Sequence, residues 1–246
     1  MTAAHPQNKA TSVVLIHGAT MDGSSWRPVH DILKGRGLNT AVVQLPLTGL
    51  DADVAAARLA IGRQTGSVVL VAHSYGGVVA SVAGTDPKVS AIVYVAALQP
   101  DQGESLASLA ARTPSENHML DLGDGTVILD PAHYAADMAD DLPIEDADFL
   151  AVSQRPTAMA VFGAPVGEVA WRDKPSYGII ATRDRILNPD LARFMYARSN
   201  AMVVEIEASH VPHLSHPQDV SDVIALAVDR SVSSNEPHQR ARRQVP

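Results

Sequence analysis

The stretch that most limits what this chain can become is Ala72-His73-Ser74-Tyr75-Gly76-Gly77. Before it, residues 67–71 read Ser-Val-Val-Leu-Val, an unbroken run of β-formers that predicts a buried strand. After it, residues 77–83 are small and apolar and predict a packed helix. A serine between such a strand and helix, with small residues two positions to either side, is the pattern of a nucleophile elbow. The turn strains the serine backbone and holds its hydroxyl above the end of the sheet. The usual form is G-x-S-x-G, so Ala72 departs from it by one methyl while Gly76 keeps it. A small-residue turn without chemistry has the same local pattern, so the rest of the chain must decide.

Composition narrows the classes. The chain has 246 residues, enough for one α/β domain with an insertion, and 46% are apolar, enough for a sizeable core. A net charge of −8 argues against nucleic acid or an anionic membrane as the main partner. With no cysteine there is no disulfide, thiolate metal site or cysteine nucleophile. Residues 1–10 are polar and lack the apolar centre of a secretory signal. No apolar run approaches the ~18 residues of a membrane span. The expectation is a soluble, cytoplasmic protein.

The chain order then gives a fold class. Apolar runs at 12–17, 39–45, 67–71 and 89–97 predict strands, with helices at 26–34, from Asp51 or Asp53 to about 64, and at 77–83 between them. This β-α-β-α-β-α-β order implies a parallel sheet covered by helices on both faces. Residues 101–173 break the pattern. They carry helical fragments at 106–112 and 132–139, five prolines, and a hairpin signal at 120–129 around Gly123-Asp124-Gly125. This region is expected to be a short lid insertion, and its acidic run at 137–148 a solvated face. Strands return at 176–182 and 202–206, with a helix at 188–199 between them and a final helix from Pro217 to about Val228. The expected organisation is a core of 11–100 and 174–230, a lid of 101–173, and flexible tails at 1–10 and 231–246.

In a parallel sheet, functional groups gather at the carboxyl ends of the strands. Four predicted strand ends carry such groups: Gly18-Ala19, Ser74, Asp184 and His210. Their order is oxyanion loop, serine, acid, histidine, which is that of the α/β-hydrolase fold. A serine hydroxyl needs a base during attack, and an imidazole supplies one near neutral pH. His210 takes that role, and Asp184 holds its second ring nitrogen and stabilises the imidazolium. The backbone N–H groups of Tyr75 and Ala19 are the expected oxyanion donors. His213 is the fallback base, and Asp101 is the rival acid. His17 and His73 read as structural hydrogen-bonders, and Ser209 as a loop residue. His210, His213 and His216 have an H-x-x-H-x-x-H spacing, but Pro212 interrupts any helical face, so no metal is expected. Met21, Met119, Met138, Met159, Phe162 and Trp171 read as packing, or as the walls of an acyl pocket under the lid.

Several segments together resemble a known family: Val14-Leu15-Ile16-His17-Gly18-Ala19 with Asp22-Gly23-Ser24-Ser25-Trp26, His73-Ser74-Tyr75-Gly76-Gly77, Ala181-Thr182-Arg183-Asp184-Arg185, and Ser209-His210-Val211 with Leu214-Ser215-His216-Pro217. They are similar to small bacterial α/β-hydrolases of esterase type, related to plant methyl esterases and hydroxynitrile lyases. The resemblance spans about 12–228. It implies Ser74, Asp184 and His210 as a triad, Ala19 and Tyr75 as oxyanion donors, a short lid and no cofactor. The lyases of that group carry threonine after the first-loop histidine and lysine after the catalytic histidine. Here those positions hold Gly18 and Val211, which favours the esterase branch.

The leading expectation is a serine hydrolase cleaving a small apolar carboxylic ester or lactone, with a small-molecule substrate as its partner. The alternatives are a ligand-binding or signalling protein on the same fold, and lyase-like or other chemistry on the same scaffold.

Overall fold

Each run of β-formers becomes a strand, and the six strands pair into one parallel sheet. The computed structural model of the protein describes residues 11–115 and 117–242, with side chains to Ser233. In its first half, β1 (Ser12–Ile16), α1 (Arg27–Gly35), β2 (Asn39–Val43), α2 (Leu50–Gly62), β3 (Val68–Ser74), α3 (Gly76–Ala83) and β4 (Val89–Ala97) alternate as the sequence predicts. The insertion that follows holds α4 (Leu106–Ala110), β5 (Met119–Asp121), β6 (Thr126–Leu129), α5 (Tyr134–Met138), α6 (Ile144–Val152), β7 (Thr157–Ala158) and α7 (Ala160–Gly163). The sheet resumes with β8 (Ser176–Ala181), α8 (Pro189–Arg198) and β9 (Met202–Ile206), and the chain ends with α9 (Pro212–Ser215) and α10 (Pro217–Arg242).

The strand order is β2-β1-β3-β4-β8-β9, with every pairing parallel. The order reverses beside β1, so a crevice opens at the carboxyl ends of β1 and β3. In β3 the alternation within an all-apolar run is visible. Val68, Leu70 and Ala72 pack with α2, α3 and α8, whereas Val69 and Val71 pack with α1 and α10. Both faces are therefore buried, as parallel strands require. A third cluster joins Met21 and Val211 of the core loops to Leu129, Tyr134 and Met138 of the insertion.

Three expectations need correction. Neither Asp51 nor Asp53 caps α2; Gly49 precedes its first turn. Asp53 is instead fully buried, accepting the Leu47 N–H and the Tyr75 hydroxyl. The acidic run of 137–148 is not uniformly a solvated face. Asp137 is buried against His118, and Asp141 points into the catalytic loop. The tail expected from 231 continues α10 as helix to Arg242, and its start is anchored: Ser231 is buried and its hydroxyl donates to the Ala227 carbonyl. The expectations for 1–10 and 243–246 lie outside the described residues.

Candidate active site

The elbow between β3 and α3 is set by close backbone approach. Ser74 takes φ +52°, a left-handed conformation that non-glycine residues seldom adopt. A Cβ at position 76 would lie 2.6 Å from the His17 carbonyl oxygen and 2.9 Å from that of Ile16, so glycine is required there. The neighbouring strand accommodates the bend with a register shift opposite His73 and Ser74, and Ala96, the extra residue of β4, also has positive φ. The Tyr196 hydroxyl ties this bulge to α8, donating to the Ala97 carbonyl.

Ser74 Oγ stands 2.8 Å from His210 Nε2, and His210 Nδ1 stands 2.7 Å from Asp184 Oδ2. The imidazole and the carboxylate are almost wholly buried, at 1% and 2% side-chain exposure, while Ser74 opens on a cavity. The other Asp184 oxygen accepts the N–H groups of Ile186 and Leu187 at 2.8 Å, which fixes the carboxylate before the imidazole meets it. The loops carrying Asp184 and His210 are paired just beyond the sheet: Thr182 N–H donates to the Ile206 carbonyl and Arg183 N–H to that of Ala208. This arrangement can pass a proton from a hydroxyl to an imidazole and hold the resulting cation.

Ala19 and Tyr75 both line the cavity, and no hydrogen bond of either N–H is found among the described residues. His17 shapes the first loop. Its Nδ1–H donates to the Gly18 carbonyl, and its Nε2 accepts the Leu45 N–H. Burial pulls its pKa down to about 4, so it serves as a neutral strut. A Cβ at Gly18 would lie 2.8 Å from Ser74 Cβ and 2.9 Å from His73 Nδ1, so no side chain fits beside the serine. Val211, the residue after His210, is fully buried in the cluster shared with the insertion.

The remaining candidates separate clearly. Asp101 pairs with Arg172 at the surface, away from the triad. His213 is buried between the Trp26 and His73 rings with neither nitrogen partnered among the described residues. Burial brings its pKa down to about 3, and burial likewise holds His73 well below the usual value. His73 donates from Nε2 to the His210 carbonyl, and its ring packs 4.8 Å from that of His210. His216 bonds Ser215, so the three spaced histidines point to three different surroundings. Ser209 gives both its N–H and its hydroxyl to Asp141. Burial opposes that carboxylate's charge, but the bonds from Ser209 outweigh it and hold the pKa below the usual range.

The cavity has a volume of about 240 Å³. Leu98, Leu187 and Leu191 of the core wall it together with Met119, Met138 and Phe162 of the insertion. Met21, Met159 and Trp171, also considered from the sequence, do not line it. No Asp, Glu, Lys or Arg lines it among the described residues. No helix among them is long and apolar enough to cross a membrane. The sequence reading missed Asp141, Asp53 and Thr157. No local signal marks them, because their partners are brought close only by the fold.

Comparison with known proteins agrees with this fold. The pattern of the alpha/beta hydrolase family matches residues 13–223. A probable hydrolase R7 from a Phoma species is 28% identical, covering 76% of this chain and 83% of its own. Methyl jasmonate esterase 1 of Vitis vinifera is 25% identical over 84% of this chain and 92% of its own. Among solved structures, a pyrethroid hydrolase from Sphingobium faniae superposes with a TM-score of 0.76 at 21% identity, covering 89% of this chain and 98% of that one. At that identity the superposition shows a shared fold.

Proposed function

This chain belongs to the alpha/beta hydrolase family, and we propose that it is a serine esterase cleaving a small, neutral, apolar carboxylic ester or lactone through an acyl-enzyme on Ser74. It is a carboxylic ester hydrolase, in keeping with the names of relatives such as methyl jasmonate esterase 1 and the pyrethroid hydrolase. The single observation that carries the mechanism is the unbroken line Ser74–His210–Asp184, with contacts of 2.8 and 2.7 Å, opening on a cavity whose described lining holds no Asp, Glu, Lys or Arg.

The substrate carbonyl sits over Ser74 with its oxygen toward the N–H groups of Ala19 and Tyr75. Ser74 Oγ attacks while His210 Nε2 takes its proton. Asp184 keeps Nδ1 as the donor nitrogen and stabilises the imidazolium. The tetrahedral oxyanion is met by two donors already in place, and losing one costs about 3–4 kcal/mol of transition-state stabilisation. His210 returns the proton to the leaving alcohol, then activates the water that releases the acid. The cavity supports the substrate class. At about 240 Å³ it lies below the roughly 300–1,000 Å³ of sites for drug-sized ligands. Among the described residues its lining has no charged side chain to match an ionised substrate, which would lose its hydration on entry. The absence of room at Gly18 and the packing of Val211 favour hydrolysis over the lyase chemistry of the related plant enzymes.

Hydrolysis of short-chain p-nitrophenyl esters by the wild type and by Ser74→Ala, side by side, tests the reading. Turnover by the wild type that disappears in the variant is expected. Equal turnover in both would mean that Ser74 is not the nucleophile, and a folded wild type without turnover would sink the esterase reading.

A further inference from the structure

The first-loop oxyanion donor, Ala19, is followed by a residue in a strained conformation. Thr20 has φ +58°, which a β-branched residue holds only where its surroundings impose it. Both main-chain polar groups of Thr20 are tied to one short segment of the insertion. The Thr20 N–H donates to Thr157 Oγ1 at 2.9 Å, and the Arg155 N–H donates to the Thr20 carbonyl at 2.9 Å. Thr157 is fully buried, so water does not compete for that bond. The segment is itself anchored to the core. Arg155 Nη1 donates to the Leu45 carbonyl and the Ala158 N–H to that of Leu47. The loop carrying Leu45 is in turn held by the His17 ring, whose other nitrogen holds Gly18. The oxyanion loop is therefore clasped from one side by His17 and from the other by residues 155–157.

The geometry assigns Thr157 as a positioning residue of the oxyanion hole, holding the Ala19 N–H in place through Thr20; this rests on the esterase reading above. The insertion then does more than roof the cavity: it completes the donor geometry that the tetrahedral oxyanion meets. The consequence is specific to the hydroxyl. Valine has the same shape as threonine but cannot accept a hydrogen bond, and it would leave the Thr20 N–H buried without a partner. The left-handed turn would then relax, and the Ala19 N–H would swing from its line. Serine keeps the acceptor and gives up only the methyl.

The test compares Thr157→Val, Thr157→Ser and wild type on a p-nitrophenyl ester. It also measures inhibition by an aryl trifluoromethyl ketone, which adds Ser74 Oγ reversibly to give a tetrahedral oxyanion. Thr157→Val is expected to lose about ten-fold or more in kcat with KM little changed, since a misplaced donor is felt in the transition state and not in substrate binding. Its affinity for the ketone should fall in parallel, while Thr157→Ser stays close to wild type in both. The assignment is overturned if Thr157→Val keeps wild-type kcat, or if the serine variant loses as much as the valine variant, which would mean that the methyl's packing matters and the hydroxyl does not. A wild type that turns over no ester overturns the esterase reading and this assignment with it; a working wild type with an indifferent Thr157→Val overturns this assignment alone.

Discussion

Asp184 does two things with two oxygens, and a single substitution separates them. Oδ1 accepts the N–H groups of Ile186 and Leu187, and Oδ2 faces His210 Nδ1. In Asp184→Asn the amide oxygen can keep the turn while the amide NH₂ faces the imidazole. Two donors then oppose each other unless the ring carries its proton on Nε2, the nitrogen that must receive the proton of Ser74. We expect a folded enzyme with near wild-type melting temperature and a kcat lower by about 10³–10⁴-fold, the size of effect seen when a triad histidine is forced into the wrong tautomer. Melting curves and initial rates on one ester check both halves. Loss of less than about ten-fold would show that the carboxylate charge is unimportant here. The juxtaposition of Ser74, Asp184 and His210 was legible because each lies at, or within four residues of, the end of an apolar strand run, so a local pattern marks a place at the sheet's carboxyl edge. Thr157, Asp141 and Asp53 were not. Their partners Thr20, Ser209 and Tyr75 lie 137, 68 and 22 residues away, and nothing around them in sequence records that distance.

The elbow depends on how closely α3 approaches the end of β1. The atoms that a Cβ at position 76 would meet, at 2.6 and 2.9 Å, are the carbonyl oxygens of His17 and Ile16. Main-chain atoms cannot swing aside as a side-chain end can, so Gly76→Ala must push the helix off the strand. Overpacking of this kind costs about 1–3 kcal/mol and occasionally more. In a domain of this size that lowers Tm by roughly 2–12 °C. The same shift moves the Tyr75 N–H, so kcat should fall as well. A thermal melt with unchanged Tm would mean that α3 can slide without cost and that glycine at 76 is incidental. The four central strands β1, β3, β4 and β8 could be read because both faces are buried and their runs are almost continuously apolar, whereas the edge strands β2 and β9 are partly exposed and are read from their β-formers and their place in the chain order. The insertion could be read only in part. Its hairpin showed through the Gly123-Asp124-Gly125 turn, but β7 is a two-residue strand that exists only through pairing with β6. α2 was given the wrong cap because Asp53 resembles a first-turn acid by position, although the fold uses it as a buried acceptor for Tyr75.

Taken as a whole, the molecule carries a pH dependence that follows from histidines buried without charge. Burial brings His17 to about 4 and His213 to about 3, with His73 also well below 6.5. An unfolded histidine titrates near 6.5. Below that pH the unfolded chain binds protons that the folded chain refuses, so stability is fully present above about pH 6.5 and falls as the pH drops toward the folded values. One unit of separation is worth about 1.4 kcal/mol, so His17 and His213 alone remove on the order of 5 kcal/mol by pH 4. That is a large share of an ordinary stability of about 5–15 kcal/mol. Urea midpoints should therefore decline steadily from about pH 7 to about pH 4.5, before most carboxylates begin to titrate. His213 is the site at which to test the cause, because its ring lies between Trp26 and His73 and neither nitrogen has a partner among the described residues. His213→Leu removes the titrating group and no hydrogen bond found there, so it should flatten the decline while leaving the midpoint at pH 7 close to wild type or slightly lower from altered packing. A variant with the wild-type slope would mean that His213 takes up its proton equally in the folded and unfolded chains, and that the aromatic stack behind His210 is open to water.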